Sequence, residues 1–150
     1  MTHIPRAPLI LGLAGLIPFL WGAATYLHDP LADWSIASLG SRFTGPYVQL
    51  FYGAIILSFM SGVLWGFATK TNGPQAVMCY TLATLPSLWA FFMTGGGPTS
   101  AAMNLITGFL GVLILDFAFS KWGLTPDWWL PLRLLLTAIV IICLSVGVFL

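Results

Sequence analysis

Five stretches of this chain, over residues 8–27, 47–69, 76–93, 100–119 and 131–150, are apolar almost from end to end. At a rise of 1.5 Å per residue each is about 30 Å long as a helix, the thickness of a bilayer's hydrocarbon core. Lipid offers the backbone no hydrogen-bonding partner, so a segment of this kind must satisfy its amides internally. The chain carries 6% charged residues, where a soluble domain uses roughly 25% to wet its surface. The fold class that follows is all-α, a polytopic membrane bundle of about five transmembrane helices forming one integral membrane domain over residues 1–150.

Proline placement supports the boundaries, because its missing N–H costs nothing in the first turn of a helix. Pro8, Pro46, Pro74, Pro98 and either Pro126 or Pro131 stand at or just before the start of a stretch. Asn72-Gly73-Pro74, Gly95-Gly96-Gly97-Pro98 and Thr125-Pro126-Asp127 read as turns between antiparallel neighbours. Pro18 and Pro86 fall inside spans and predict kinks. The first run follows Arg6 and would pass for a signal peptide, but it holds Pro18 and Trp21 and outlasts a typical h-region. It is read as a membrane helix. In the longest connection, Asp29 is placed to cap a helix opened by Pro30, and Ala32, Ile36, Leu39 and Phe43 share one face. A short interfacial helix over 30–43 is predicted there. Pro18-Phe19-Leu20-Trp21 is echoed by Pro86-Ser87-Leu88-Trp89, the signature of a parallel two-helix repeat with the last helix added.

The basic residues are unevenly shared. With five spans, Arg6, Lys70, Lys121 and Arg133 fall toward one face and Arg42 alone toward the other. The positive-inside rule then puts the N-terminus in the cytoplasm or mitochondrial matrix and the C-terminus outside. Trp21, Trp34 and Trp89 fall near the outer interface, and Trp65, Trp122, Trp128 and Trp129 near the inner one, as anchoring belts. A net charge of +1 with no basic stripe argues against nucleic acid as a partner. The lipid bilayer is the partner that composition demands.

Helices in lipid approach through small residues. Ser58, Gly62 and Gly66 recur at four-residue spacing, and Gly108 and Gly111 lie in the fourth span. These faces are expected to meet inside the bundle, though a small face would also suit a partner protein. Asp116 is the one acidic residue within a span, and a carboxylate there needs a reason. Arg133 is its natural counter-ion in a structural pair, with Lys121 as competitor. A proton-accepting or ligand-binding role for Asp116 is the functional alternative.

Other chemistry is thin. His3 and His28 sit at opposite ends of the first span, so one haem cannot use both; Cys79 and Cys143 have no metal-ligand spacing. No cofactor, metal or catalytic residue is expected. Ser58, Ser61 and Ser87 lie mid-span without an intramembrane base, so no enzyme is expected either. Gln49 and Asn104, near the outer ends of their spans, are candidate ligand contacts, with interhelical hydrogen bonding as the commoner use.

Several segments together resemble domain-of-unknown-function family 3429. They are the run Leu9 to Phe19, the segment Tyr52-Gly53-Ala54 through Ser61-Gly62 to Trp65-Gly66, Leu85-Pro86-Ser87-Leu88, and Trp128-Trp129-Leu130-Pro131-Leu132-Arg133 to Thr137. The likeness covers nearly the whole chain. It implies a helical protein of a bacterial or mitochondrial inner membrane, places Asp116 and Arg133 in family-like segments, and implies no activity. The leading expectation is a non-enzymatic accessory or assembly subunit of a larger inner-membrane complex. The alternative is a binding or transport module for a small hydrophobic molecule such as a quinone or lipid, entered beside the kinks. If Asp116 and Arg133 pair, Asp116→Asn and Arg133→Gln will each lower accumulation of folded protein in membranes, and exchanging the two charges will partly restore it.

Overall fold

The computed structural model describes residues 3–150. Seven α-helices follow one another: α1 Arg6–Ala14, α2 Ile17–Leu27, α3 Asp29–Ser38, α4 Tyr47–Ala68, α5 Gly73–Met93, α6 Pro98–Lys121 and α7 Trp129–Phe149. Taken together α1 and α2 make one span, and with α4, α5, α6 and α7 they give five helical segments long and apolar enough to cross a membrane. The chain is a multi-pass, all-helical membrane protein. Spans start up to three residues earlier than the sequence suggests, because Gly73-Pro74-Gln75 and Pro98-Thr99 form first turns rather than loops.

The two interior prolines act differently. Pro18 cannot donate to Ala14, and its ring clashes with that carbonyl. The helix therefore ends at Ala14, passes through a tight turn in which Leu16 N–H donates to Leu13, and restarts with Pro18 in the first turn of α2. The expected kink is a full break, displaced upstream by the reach of one hydrogen bond. Pro86 instead lies within an unbroken α5. The neighbouring Ser87 N–H is accepted by the Ser61 hydroxyl of α4 at 2.8 Å, so the proline's disruption becomes an interhelical hydrogen bond.

Helix α4 lies against α5, α6 and α2, while α7 lies against α6, α2 and α1. Phe19, Leu57, Leu105, Phe109, Val140 and Leu144 fill the larger core, and Leu64, Cys79, Ala83 and Phe119 a smaller one beside it. Close approach is made by large side chains entering glycine notches. A Cβ at Gly22 would stand 2.5 Å from Gln49 Cγ, one at Gly53 2.8 Å from a Leu105 methyl, and one at Gly147 2.7 Å from the Tyr26 ring. Gly108 belongs to this set, since its Cβ would fall 2.8 Å from Trp89 Cδ1 and 2.9 Å from Leu57.

The expected meeting of small faces needs correction. Ser58, Gly62, Gly66 and Gly111 point outward, and a Cβ on any of those three glycines meets nothing within 4 Å. Bulky residues on the other faces of α4 and α6 take the interior because they gain more dispersion contact there. Ser58 returns its hydroxyl to Ala54 of its own helix.

The connection after α2 is helical, but shorter than the predicted 30–43. Asp29 is not the cap; His28 is, its Nδ1 accepting the Leu31 N–H at 3.2 Å. The helix stops at Ser38 because Gly40 takes φ +95°, a conformation that suits glycine, and a 3₁₀ turn Ser41–Phe43 follows. Trp34, Ile36, Leu39 and Phe43 stay exposed, as an interfacial element requires.

The notches and the outward glycines make opposite expectations for the same substitution. Gly22→Ala must displace a Gln49 side chain tied by two hydrogen bonds, and overpacking of this kind costs about 1–3 kcal/mol. Gly62→Ala and Gly66→Ala will be neutral or slightly stabilising, since alanine favours helix. Thermal unfolding of the purified variants in one detergent measures the contrast.

Candidate functional site

Trp129, Arg133 and Thr137 follow one another at four-residue spacing on α7 and so share a face. Asp116 of α6 meets that face about a turn and a half from the helix end at Lys121. Arg133 Nε donates to Asp116 Oδ2 at 3.0 Å, and Trp129 Nε1 donates to Asp116 Oδ1 at 2.9 Å. Both carboxylate oxygens are therefore satisfied, and the side chains of Arg133 and Asp116 are 5% and 1% exposed. Lys121 takes no part; it points to the surface, while Lys70 donates to the Leu124 carbonyl at 2.9 Å and ties the α4–α5 turn to the α6–α7 turn. Removing one partner of a buried pair strands the other charge, at a cost of about 3–5 kcal/mol.

The pair does not exhaust the arginine. Arg133 Nη2 and Thr137 Oγ1 are both buried and have no hydrogen-bond partner among the described residues. Both residues line a cavity of about 400 Å³. Its walls are otherwise apolar and aromatic, with Phe19, Tyr52, Met60, Phe109, Trp129 and Val140 prominent. The cavity exists because of the break in the first span: α1 leans on α7 rather than on α4, and the space left between α1, α4 and α7 stays open. Leu11 of α1 and Phe59 of α4 both line it and are both strongly exposed, so its mouth faces sideways, toward lipid.

The sequence candidates for ligand contact lie elsewhere. Gln49 is 2% exposed, and its amide donates to the carbonyls of Phe19 and Cys143 at 3.0 and 3.1 Å, stitching α4 to α2 and α7. The Asn104 side-chain amide donates to the Met93 carbonyl at 2.8 Å, and its main-chain carbonyl accepts the Trp89 indole N–H at 2.7 Å, closing the end of α5. Both are fold-holding residues. Neither lines the cavity, nor does Pro86 or Asp116.

Trp129 and Thr137 were not legible as site residues. Trp129 reads as a belt anchor, and the usable signal is its spacing of four from Arg133. Trp21 likewise has a partner within the chain, donating to the Phe43 carbonyl of the connection before α4 at 2.7 Å, while Trp34, Trp65 and Trp122 stand exposed. Cys79 and Cys143 are buried free thiols. No group of His, Cys, Asp and Glu able to hold a metal ion occurs among the described residues.

Residues 4–149 match the family model described as Protein of unknown function (DUF3429). Transmembrane protein 69 of Xenopus tropicalis is 35% identical over 154 residues, covering 96% of this chain and 54% of that protein. Transmembrane protein 69 of Mus musculus is 29% identical over 150 residues, covering 97% of this chain and 57% of that protein. The chain thus spans about half the length of the curated relatives it matches. No solved structure matches it. A match that runs nearly end to end, through the segments that supply Asp116, Trp129, Arg133 and Thr137, means that the chain belongs to the DUF3429 family.

Proposed function

We propose that this membrane protein binds a small amphipathic molecule of the bilayer in the cavity between α1, α4 and α7, without acting on it as an enzyme. One observation carries the reading: an apolar cavity of about 400 Å³ has Arg133 and Thr137 in its wall, and each of these residues keeps a buried polar atom, Nη2 and Oγ1, without a partner among the described residues. That volume is within the roughly 300–1,000 Å³ range of ligand pockets, and mostly apolar walls with a few convergent polar groups are their usual make-up. A buried unsatisfied donor costs about 1–3 kcal/mol, which a turn of the Arg133 side chain toward a ligand's acceptor would recover. The lateral mouth suits a molecule that arrives through the membrane.

The excess of Arg6, Lys70 and Lys121 over Arg42 favours an N-terminus in the cytoplasm or matrix, and the family likeness is the ground for proposing a bacterial or mitochondrial inner membrane. A second reading, an accessory subunit packed on a larger membrane complex, draws on Ser58, Gly62 and Gly66, which present a small outward face on α4.

Mild extraction followed by mass spectrometry of everything that leaves the membrane with the chain tests both. A small molecule enriched over bulk lipid is expected, and Val63→Trp, which projects into the cavity, will reduce it about tenfold while leaving the thermal midpoint unchanged or higher. Lipid in bulk proportions from both proteins would contradict the binding reading, and a reproducible stoichiometric protein partner would support the second.

A further inference from the structure

A second cavity, of about 490 Å³, shares no residue with the first. It lies where α4 and α6 begin and α5 ends, and Thr94, Gly96 and Pro98 of the α5–α6 turn form part of its wall. Arg42, the one Lys or Arg in the connections at this end of the bundle, lines it too. Tyr47, Phe51 and Ile55 recur every four residues, so a single face of α4 continues the wall for about 12 Å into the span. We propose that this cavity seats one anionic phospholipid, with its phosphodiester on Arg42 and an acyl chain along the Phe51–Ile55 face of α4.

Arg42 is both free and held in place. It is exposed and forms no hydrogen bond or ion pair among the described residues, where the ion pair is that of Arg133 with Asp116. Asp29 and Asp33, the acidic residues nearest to it in sequence, stand exposed on α3 without reaching it. Its guanidinium carbon lies 4.6 Å from the centre of the Phe51 ring. That cation–π contact keeps the group at the cavity wall, while its five N–H donors have no protein acceptor. The 3₁₀ turn that carries it is fastened on both sides. The Phe43 carbonyl accepts from Trp21 Nε1 at 2.7 Å and from Ser35 Oγ at 3.3 Å, Thr44 Oγ1 donates to Ser35 Oγ at 2.9 Å, and the Gly45 N–H donates to Thr25 Oγ1 at 3.0 Å. Backbone ordered in advance lowers the cost of binding.

The chemistry of the walls selects the occupant. A planar guanidinium fork matches phosphate oxygens two at a time, and Arg42 stands in a connection between spans, at the depth of the lipid head groups. No carboxylate lines the cavity, so the amine of a zwitterionic head group would find no counter-charge there. Helix α6 begins at Pro98 without a side-chain cap and adds partial positive charge of the same sign. Below Arg42 the wall turns to hydrocarbon, and Phe51 and Ile55 are both exposed to lipid. A free phosphate would leave that face unused.

Nanodiscs holding the whole protein in equal amounts of dioleoyl phosphatidylglycerol and dioleoyl phosphatidylcholine test this, with native mass spectrometry reading the lipid that stays on the protein after ejection. Phosphatidylglycerol will be retained about fivefold over phosphatidylcholine. Arg42→Gln will remove the preference. Lys121→Gln, which deletes an exposed charge at the opposite end of α6, will keep it. Ala54→Trp fills the chain-bearing part of the cavity with Arg42 intact and will lower the retention of phosphatidylglycerol. Val63→Trp, which blocks the first cavity, will change neither, so this inference and the proposed function fail separately. Equal retention of the two lipids, equal loss from Arg42→Gln and Lys121→Gln, or full retention in Ala54→Trp would overturn the inference. So would loss of the preference in Val63→Trp, which would place the lipid in the first cavity. Displacement of the retained lipid by glycerol 3-phosphate would also overturn it, since the site would then serve an aqueous phosphate.

Discussion

A carboxylate and a guanidinium held 3.0 Å apart inside a bundle that faces lipid can be neither hydrated nor separated cheaply, and much of the structure is arranged around that constraint. Asp116 fixes where α6 stands against α7. Trp129 supplies the second donor, so both carboxylate oxygens are answered. The pairing runs through Nε alone, so Nη2 is left buried without a partner, and Arg133 stands in the cavity wall. One pair thus joins two helices, orients an indole and sets an arginine in the wall of the cavity.

The break before Pro18 completes that space from the other side. A continuous first span would lie along α4 as well as α7, but the lost hydrogen bond at Ala14 lets α1 stand clear. Gln49 then holds the remaining part of the span, α2, against α4 and α7 through the carbonyls of Phe19 and Cys143. The α2 end of the first span is sealed by a polar stitch and glycine notches, and its α1 end borders the cavity.

What was legible from sequence was local or rare. Hydropathy marked all five spans because each segment meets the bilayer by itself, and Asp116 with Arg133 stood out because charges within spans are scarce. What was not legible depends on which faces meet. In lipid the outside of a helix is as apolar as the inside, so hydrophobic periodicity carries little information about orientation. Gly53 and Gly62 on α4 look equivalent as letters; one receives Leu105 and the other faces outward. Trp129 and Thr137 gain their roles only from the register of α7 against α6. The cavity depends on a helix break three residues upstream of the proline that causes it, and on the absence of a wall rather than the presence of a motif.

The most direct measurement is a double-mutant cycle on unfolding in detergent, comparing Asp116→Asn, Arg133→Met and the double variant. The account requires strong coupling, with each single change costing about 3–5 kcal/mol and the double variant recovering most of it, because no uncompensated charge remains. Additive losses, or single changes that cost nothing, would mean that Asp116 and Arg133 do not hold each other in the membrane, and the arginine in the cavity wall would have no fixed place to stand.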